Sequence, residues 1–398
     1  MMNPTMFDPI ALDAWYSDEN NDSLLQTELE HYLQNYFSCF SQQPQRRLFQ
    51  TFIQGLLSPL ERKSIEPVAL HFSGEKYELL SRQIGAGCGM LSVDDTSFVK
   101  KGKHSAGVKR QYCGCLGKTE NCQSGVFLAC AGDKGYGLVD YELYIPKEWF
   151  SGDFFRLREE CHIPEEKTFA TKNQIAQRML NQVIKSGRFQ VQWVGCDAAY
   201  GNDHGFLDGL ELPEGVWYFA ATNAKEQVFL EYPQQSFPET KRGRPRKHPV
   251  LSNGPTSVRD IAEDPSLPWE TVVLAEGTKG PIIAERKFLR CFSCRADGSR
   301  NYVKPGDEIW LYLRKYAGDE IKYFVSNAPA DLPVGELDRA ATLRWPIEQC
   351  FEECKSNLGM GDYECRSYQG WNRHMLFVMI THLFATQIRE IFKKKQSR

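Results

Sequence analysis

The first 45 residues hold no lysine or arginine, but they carry seven acids: Asp8, Asp13, Asp18, Glu19, Asp22, Glu28 and Glu30. No basic start followed by an apolar run opens the chain, so no secretory signal is expected. Long hydrophobic runs are also missing. The run Met375-Leu-Phe-Val-Met-Ile380, which none exceeds, stops at Thr381 and His382, which reads as a buried helix and excludes a bilayer span. Cys291-Phe-Ser-Cys294 has no second CxxC to pair with, and Cys113, Cys115 and Cys122 lack a two-plus-two spacing, so structural zinc is not expected. Thirteen cysteines, an odd number without export features, point to reduced thiols and a cytoplasmic location. Net basic charge is absent as well: 48 Lys and Arg against 51 Asp and Glu leave −3, which excludes a uniformly basic polyanion binder.

What is present is local. With 398 residues, 41% hydrophobic and 12% aromatic, the chain can bury two or three cores. Basic residues gather in two places. Residues 96–118 hold Lys100, Lys101, Lys103, Lys109, Arg110 and Lys118 with no acid. Residues 241–247 hold Lys241, Arg242, Arg244, Arg246 and Lys247. A near-neutral chain with such clusters is expected to carry a separate anion-binding surface.

Along the chain, residues 1–80 read as a helical domain, with Leu33, Tyr36, Phe37, Phe49, Phe52 and Ile53 at helical spacing and a further helix from Ser58. From Gly89 the period changes to that of strands. Met90 to Val99 reads as a central strand bearing Asp94 and Asp95. Gly125 to Ala131 and Tyr136 to Ile145 follow, joined by a turn at 132–135. Thr171 to Ile184 has helical periodicity, and Phe189 to Asp197 alternates as a strand that ends on a carboxylate. Three strands, a helix and a fourth strand are the order of a ribonuclease-H-like α/β plan, in which the first and fourth strands lie side by side. That plan divides a catalytic core into 81–224 and 326–398, around a β-rich insertion at 225–325.

After the insertion comes Arg344-Trp345-Pro346-Ile347-Glu348-Gln349-Cys350-Phe351-Glu352-Glu353-Cys354-Lys355, a helix with proline in its first turn. Arg344, Glu348 and Lys355 fall on one stripe, a pattern shared by solvated charged faces and by sites for anionic substrates. Asp95, Asp197 and Glu348 together could hold two divalent ions about 4 Å apart, the arrangement that activates a nucleophile and stabilises a leaving oxygen at a phosphodiester. Mg²⁺ or Mn²⁺ accepts such oxygen ligands. From the residues alone, Asp94 competes with Asp95, and Glu352 and Glu353 compete with Glu348. Cys350 and Cys354 read as apolar packing, as do Trp345 and Trp371, for which base stacking is the alternative.

These motifs resemble the DDE transposases of bacterial insertion sequences, in the group with a tyrosine-arginine-glutamate-lysine signature on the catalytic helix. Arg344, Glu348 and Lys355 match in type and spacing, while the tyrosine position is Ala341. Asp94-Asp95-Thr96, followed by Lys100-Lys101-Gly102, is similar to the first-aspartate motif and selects Asp95. Val194-Gly-Cys-Asp197-Ala-Ala-Tyr-Gly201 is similar to the second. The resemblance implies cleavage at element ends followed by strand transfer, with Asp95, Asp197 and Glu348 as metal ligands. Arg344 and Lys355 would hold phosphates. Lys100, Lys101, Lys103, Lys109 and Arg110 would touch the DNA backbone. Arg242-Gly-Arg-Pro-Arg246 resembles a minor-groove AT-hook core, and a loop contacting phosphates is the plainer account. Expected partners are double-stranded DNA ends and target, in a homodimer on paired ends at the nucleoid, with no membrane. The rivals are a nuclease of the same plan that does not join, and a non-catalytic DNA-binding descendant.

Overall fold

The computed structural model describes residues 19–39, 43–57, 88–132, 135–237, 247–277, 280–296, 302–316, 318 and 320–396. The helix expected from Ser58 and the basic residues Lys241, Arg242, Arg244 and Arg246 lie outside them. In chain order the elements begin with helices α1 (Glu19–Gln34) and α2 (Gln43–Leu57), then strands β1 (Cys88–Val99), β2 (Lys109–Cys113), β3 (Lys118–Gly132) and β4 (Gly135–Tyr144). Helices α3 (Phe155–Glu160) and α4 (Lys172–Lys185) follow, then β5 (Trp193–Cys196), α5 (Ala198–Gly201), α6 (His204–Asp208) and β6 (Trp217–Thr222). Next come β7 (Gln227–Phe229), β8 (Gln235–Ser236), β9 (Val250–Leu251), β10 (Thr256–Ser257) and α7 (Val258–Glu263). The long strands β11 (Glu270–Gly277), β12 (Gly280–Ala296) and β13 (Val303–Lys315) precede β14 (Lys322–Ser326), and the last helices are α8 (Val334–Leu343), α9 (Pro346–Asn357) and α10 (Tyr368–Gln396). The fold is mixed α/β. No helix among the described residues is long and apolar enough to cross a membrane.

Two compact units form, one made of Trp193–Thr342 and the other holding the remaining described residues. The division falls at 192/193 and 342/343, whereas composition had set the insertion at 225–325. In the larger unit β3 pairs antiparallel with β1 on one edge, and with β4 and then β2 on the other. Three of these are the expected meander. The fourth, β2, lies inside the basic segment read as a glycine-broken loop. Its side chains alternate between half-buried and exposed up to Cys113, so little apolar pattern announces it.

Strand alternation gives this sheet two different faces. Phe98, Phe127 and Tyr141 line one, against Phe351 of α9 and Trp371 of α10; the Phe127 and Phe351 rings are 5.5 Å apart and those of Tyr141 and Trp371 are 5.7 Å apart. Gly125 makes room for the indole, since a Cβ there would stand 2.9 Å from it. The opposite face carries Asp95, Ser124 and Glu142 toward α4. Thr171 caps α4 in a reciprocal capping box with Gln174, and Ile175, Ala176, Met179, Leu180 and Val183 bury its inner stripe.

Helices α1 and α2 pack on α10 and do not form a separate domain. The Tyr32 hydroxyl donates to the Ile380 carbonyl at 2.7 Å, and Phe49 and Phe52 contact Phe377. In the other unit β5 runs parallel to β6, and β6 pairs antiparallel with β14, which begins an antiparallel run through β13, β12, β7 and β10. The expected insertion therefore continues the sheet of β5 and β6, around a core in which Phe219 stacks on Phe324 at 4.7 Å. Strand β5 is also shorter than the alternation from Phe189 implied. Ten described cysteines are free, but Cys130 is disulfide-bonded, which departs from the expectation of reduced thiols throughout.

Candidate active site

Pro346 opens α9, where its missing N–H is one of those a helix leaves unpaired anyway. Trp345, the residue before it, already has helical dihedrals (φ −60, ψ −36), and the Glu348 N–H donates to its carbonyl at 3.0 Å. Entry into the helix is therefore smooth, and the proline does not part Arg344 from Glu348. The guanidinium donates to the Glu348 carboxylate at 2.6 Å, with the two side chains 16% and 36% exposed. Two turns later Lys355 points to β1. Its ammonium donates to the Thr96 hydroxyl at 2.6 Å and lies over the Phe98 ring, and burial lowers its pKa. One helix thus links the acid at its start to the strand that carries the two aspartates.

Those aspartates face opposite ways. Asp94 shares the face of Thr96 and Phe98, the side of Lys355. Asp95 faces α4, where its Oδ2 accepts from the Lys172 ammonium at 2.6 Å and from the Ser124 hydroxyl at 3.1 Å. Asp94 also accepts the Asp95 N–H at 2.7 Å. Lys172 was not foreseen from the sequence, because a lysine in the first turn of a helix looks like a solvated residue. In the other unit Asp197 directly follows β5 and caps α5, accepting from the N–H groups of Ala199 and Tyr200 at 3.0 and 3.3 Å. Gly201 lets that helix lie on β6, since a Cβ there would meet the Ala221 carbonyl oxygen at 2.0 Å.

The rival acids on α9 separate by burial. Glu352 is exposed. Glu353 is 2% exposed and accepts from the Tyr136 hydroxyl (2.6 Å), the Gln349 amide (3.0 Å) and the His382 ring (2.7 Å). Burial alone would raise its pKa, but His382, Tyr136 and Arg389 outweigh burial and leave it lowered. Glu353 therefore ties α9 to β4 and α10, and of the other two acids Glu348 is the half-exposed one that Arg344 holds.

Comparison with known proteins identifies the family. Residues 79–281, just over half of the chain, match the family described as DDE superfamily endonuclease. The chain belongs to that superfamily. A protein of Microchaete diplosiphon described as a probable transposase for insertion sequence element IS701 is 26% identical over 375 residues, covering 85% of this chain and 82% of its own length.

In this DDE endonuclease the proposed ligand side chains suit a hard divalent ion. Asp95 and Glu348 present carboxylates to which cationic side chains are already drawn. Cys350 and Cys354 are fully buried, and burial above all, with the nearby Glu353 carboxylate adding to it, keeps both thiols well above the ordinary range, so no thiolate beside Glu348 favours a soft ion. Among the described residues no three His, Cys, Asp or Glu side chains gather into a ready-made cage.

The basic cluster of the endonuclease divides in two. Lys101, Lys103 and Arg110 are exposed. Lys100 instead donates to the Tyr363 carbonyl and lies 4.7 Å from that ring's centre, and burial brings its pKa down to about 8. Lys109 pairs with Glu148, and Lys247 is exposed beyond the undescribed part of its basic run. Trp371 is fully buried, as core packing predicted, and Trp345 is half-buried.

Proposed function

We propose that this endonuclease is the transposase of an insertion sequence, built on a ribonuclease-H-like core. It would cut DNA at the ends of its element and join the freed 3′-hydroxyl to target DNA. The observation that carries the proposal is α9 itself, with Arg344 paired to Glu348 and Lys355 reaching the aspartate-bearing strand, in a chain of the DDE superfamily. Asp95, Asp197 and Glu348 are the proposed ligands for two Mg²⁺ or Mn²⁺ ions. Bound there, the ions would supply Lewis-acid charge and acidify a water.

The chain's own residues do the rest. Arg344 orients the Glu348 carboxylate and neutralises part of its charge, which reduces repulsion of an approaching phosphodiester. Lys355, anchored to Thr96, holds a positive charge beside the first-aspartate strand, where a phosphate can exchange for the hydroxyl contact. Lys101, Lys103 and Arg110 are the exposed backbone contacts, with Lys100 and Lys109 behind them. Lys247 belongs with Lys241, Arg242, Arg244 and Arg246 as a second basic contact. A homodimer acting on paired ends, associated with the nucleoid, completes the proposal.

The test incubates the purified chain with labelled element ends, a target plasmid and Mg²⁺. Joined product is expected from the wild type and none from Glu348→Gln. Cleavage without joining would instead identify a nuclease, and equal products from both proteins would remove Glu348 from the site.

A further inference from the structure

Asp95 is held from the side opposite α9. Lys172 stands in the first turn of α4, placed by the Thr171 cap and the buried stripe behind it. Its ammonium sits 2.6 Å from Asp95 Oδ2 and 5.8 Å from the centre of the Tyr144 ring. Neither partner is a surface group: the side chains are 27% and 20% exposed. Ser124 donates to the same carboxylate oxygen at 3.1 Å. The adjoining acid on β4, Glu142, already has two cations of its own, Lys167 and Arg178, so Lys172 is not needed there.

A lysine ammonium and a divalent cation drawn to one carboxylate oxygen repel each other and compete for its lone pairs. Each is drawn to it by the same charge, and a half-buried pair is little screened by salt. Lysine carries its charge on four rotatable carbons with three donors, so it can leave one oxygen and find another without a backbone change.

We infer that Lys172 is a positioning residue of the active site. It occupies Asp95 as a built-in cation and gives that oxygen up when a divalent ion binds. The inference rests on Asp95 being a metal ligand. Two consequences follow. The aspartate stays oriented before any ion arrives, and ion binding without DNA is weakened by the lysine it must displace. DNA phosphates offer the displaced ammonium a new partner, so DNA and ion would bind more tightly together than separately.

The experiment measures Mn²⁺ affinity of the full chain by calorimetry, without DNA and then with an uncleavable end duplex. Lys172→Met keeps the stem and removes the charge. It is expected to bind Mn²⁺ about three- to tenfold more tightly without DNA, and to lose most of the tightening that DNA confers on the wild type. Lys172→Arg, which keeps the charge, is expected to stay near the wild type. Unchanged or weaker Mn²⁺ binding in a folded Lys172→Met protein would overturn the inference. If Lys172→Met does not fold, Lys172→Gln takes its place with the same expectation. Asp95→Asn separates this from failure of the underlying reading. If Asp95→Asn retains full Mn²⁺ affinity and cleavage, Asp95 is not a ligand and both fall. If it loses Mn²⁺ while Lys172→Met is unchanged, only the role of Lys172 falls.

Discussion

Glu348 and Glu353 stand five residues apart on one helix, about 140° apart around its axis, and each is paired with a cation. Glu348 keeps more than a third of its surface and has one arginine at 2.6 Å. Glu353 is 2% exposed and has a tyrosine, an amide and a histidine around it, with the Arg389 guanidinium at 3.8 Å. A carboxylate that must exchange partners has to remain reachable by solvent. One that fixes a helix must be satisfied on every side, because an unpaired buried charge is costly. The same residue type thus stays open to exchange on one side of α9 and holds the helix in place on the other.

The largest effect that would break this comparison is in stability. Glu353→Ala is expected to cost about 3–5 kcal/mol by leaving His382 and Arg389 buried without their partner. Glu348→Gln should shift stability by no more than about 1 kcal/mol. Urea unfolding measures both, and equal losses would erase the distinction. Activity should show the reverse. Glu348→Gln is expected to lower end cleavage about 10²–10³-fold, while a folded Glu353→Gln protein retains most of it.

A third expectation concerns pH and His374, 6% exposed beneath α2, whose pKa burial lowers from 6.5 to about 4. The unfolded chain binds this proton more readily than the folded one. Stability from the neutral ring is therefore complete above pH 6.5 and is lost as pH falls toward 4, by about 3 kcal/mol in all. His374→Gln should flatten that part of the stability curve. Any flattening by Glu353→Gln should appear only at lower pH, because its folded pKa lies below the ordinary carboxylate value.

The contrast between the neighbouring aspartates sharpens the first-strand assignment. Asp95→Asn is expected to abolish cleavage and Asp94→Asn to reduce it only partly, through Lys355; the opposite result would transfer the ligand to the α9 face. The smallest effect is at the exposed bases. Alanine at Lys101, Lys103 or Arg110 should each lower the slope of log affinity against log salt by about 1, across all DNA sequences.

Most of this fold was legible because its signals are local. The strands β1 and β3 carry apolar runs and β4 alternates in sequence, and α4 carries a cap and an apolar stripe. Strand β2 was not legible, since it is held by pairing with β3 and bears lysine, arginine and glutamine. The continuation of β6 into β14 was hidden for the same reason, because pairing between strands a hundred residues apart leaves no periodic trace. At the site, family spacing singled out Glu348, but the buried partners of Glu353 and the placement of Lys172 depend on contacts distant in sequence. Tyr136 and Glu353 are 217 positions apart, and Lys172 and Asp95 are 77 apart.

The contact between Lys355 and Thr96 spans 259 positions, with all of Trp193–Thr342 made in between. A ribosome adding about 5–20 residues per second needs roughly 8–30 seconds to go from Trp193 to Lys355. During that interval the aspartate strand has emerged but its lysine and glutamate have not been synthesised. On the proposed assignment, a nascent chain that has not reached α9 would lack one of its three metal ligands, and cutting would begin only after that helix is made.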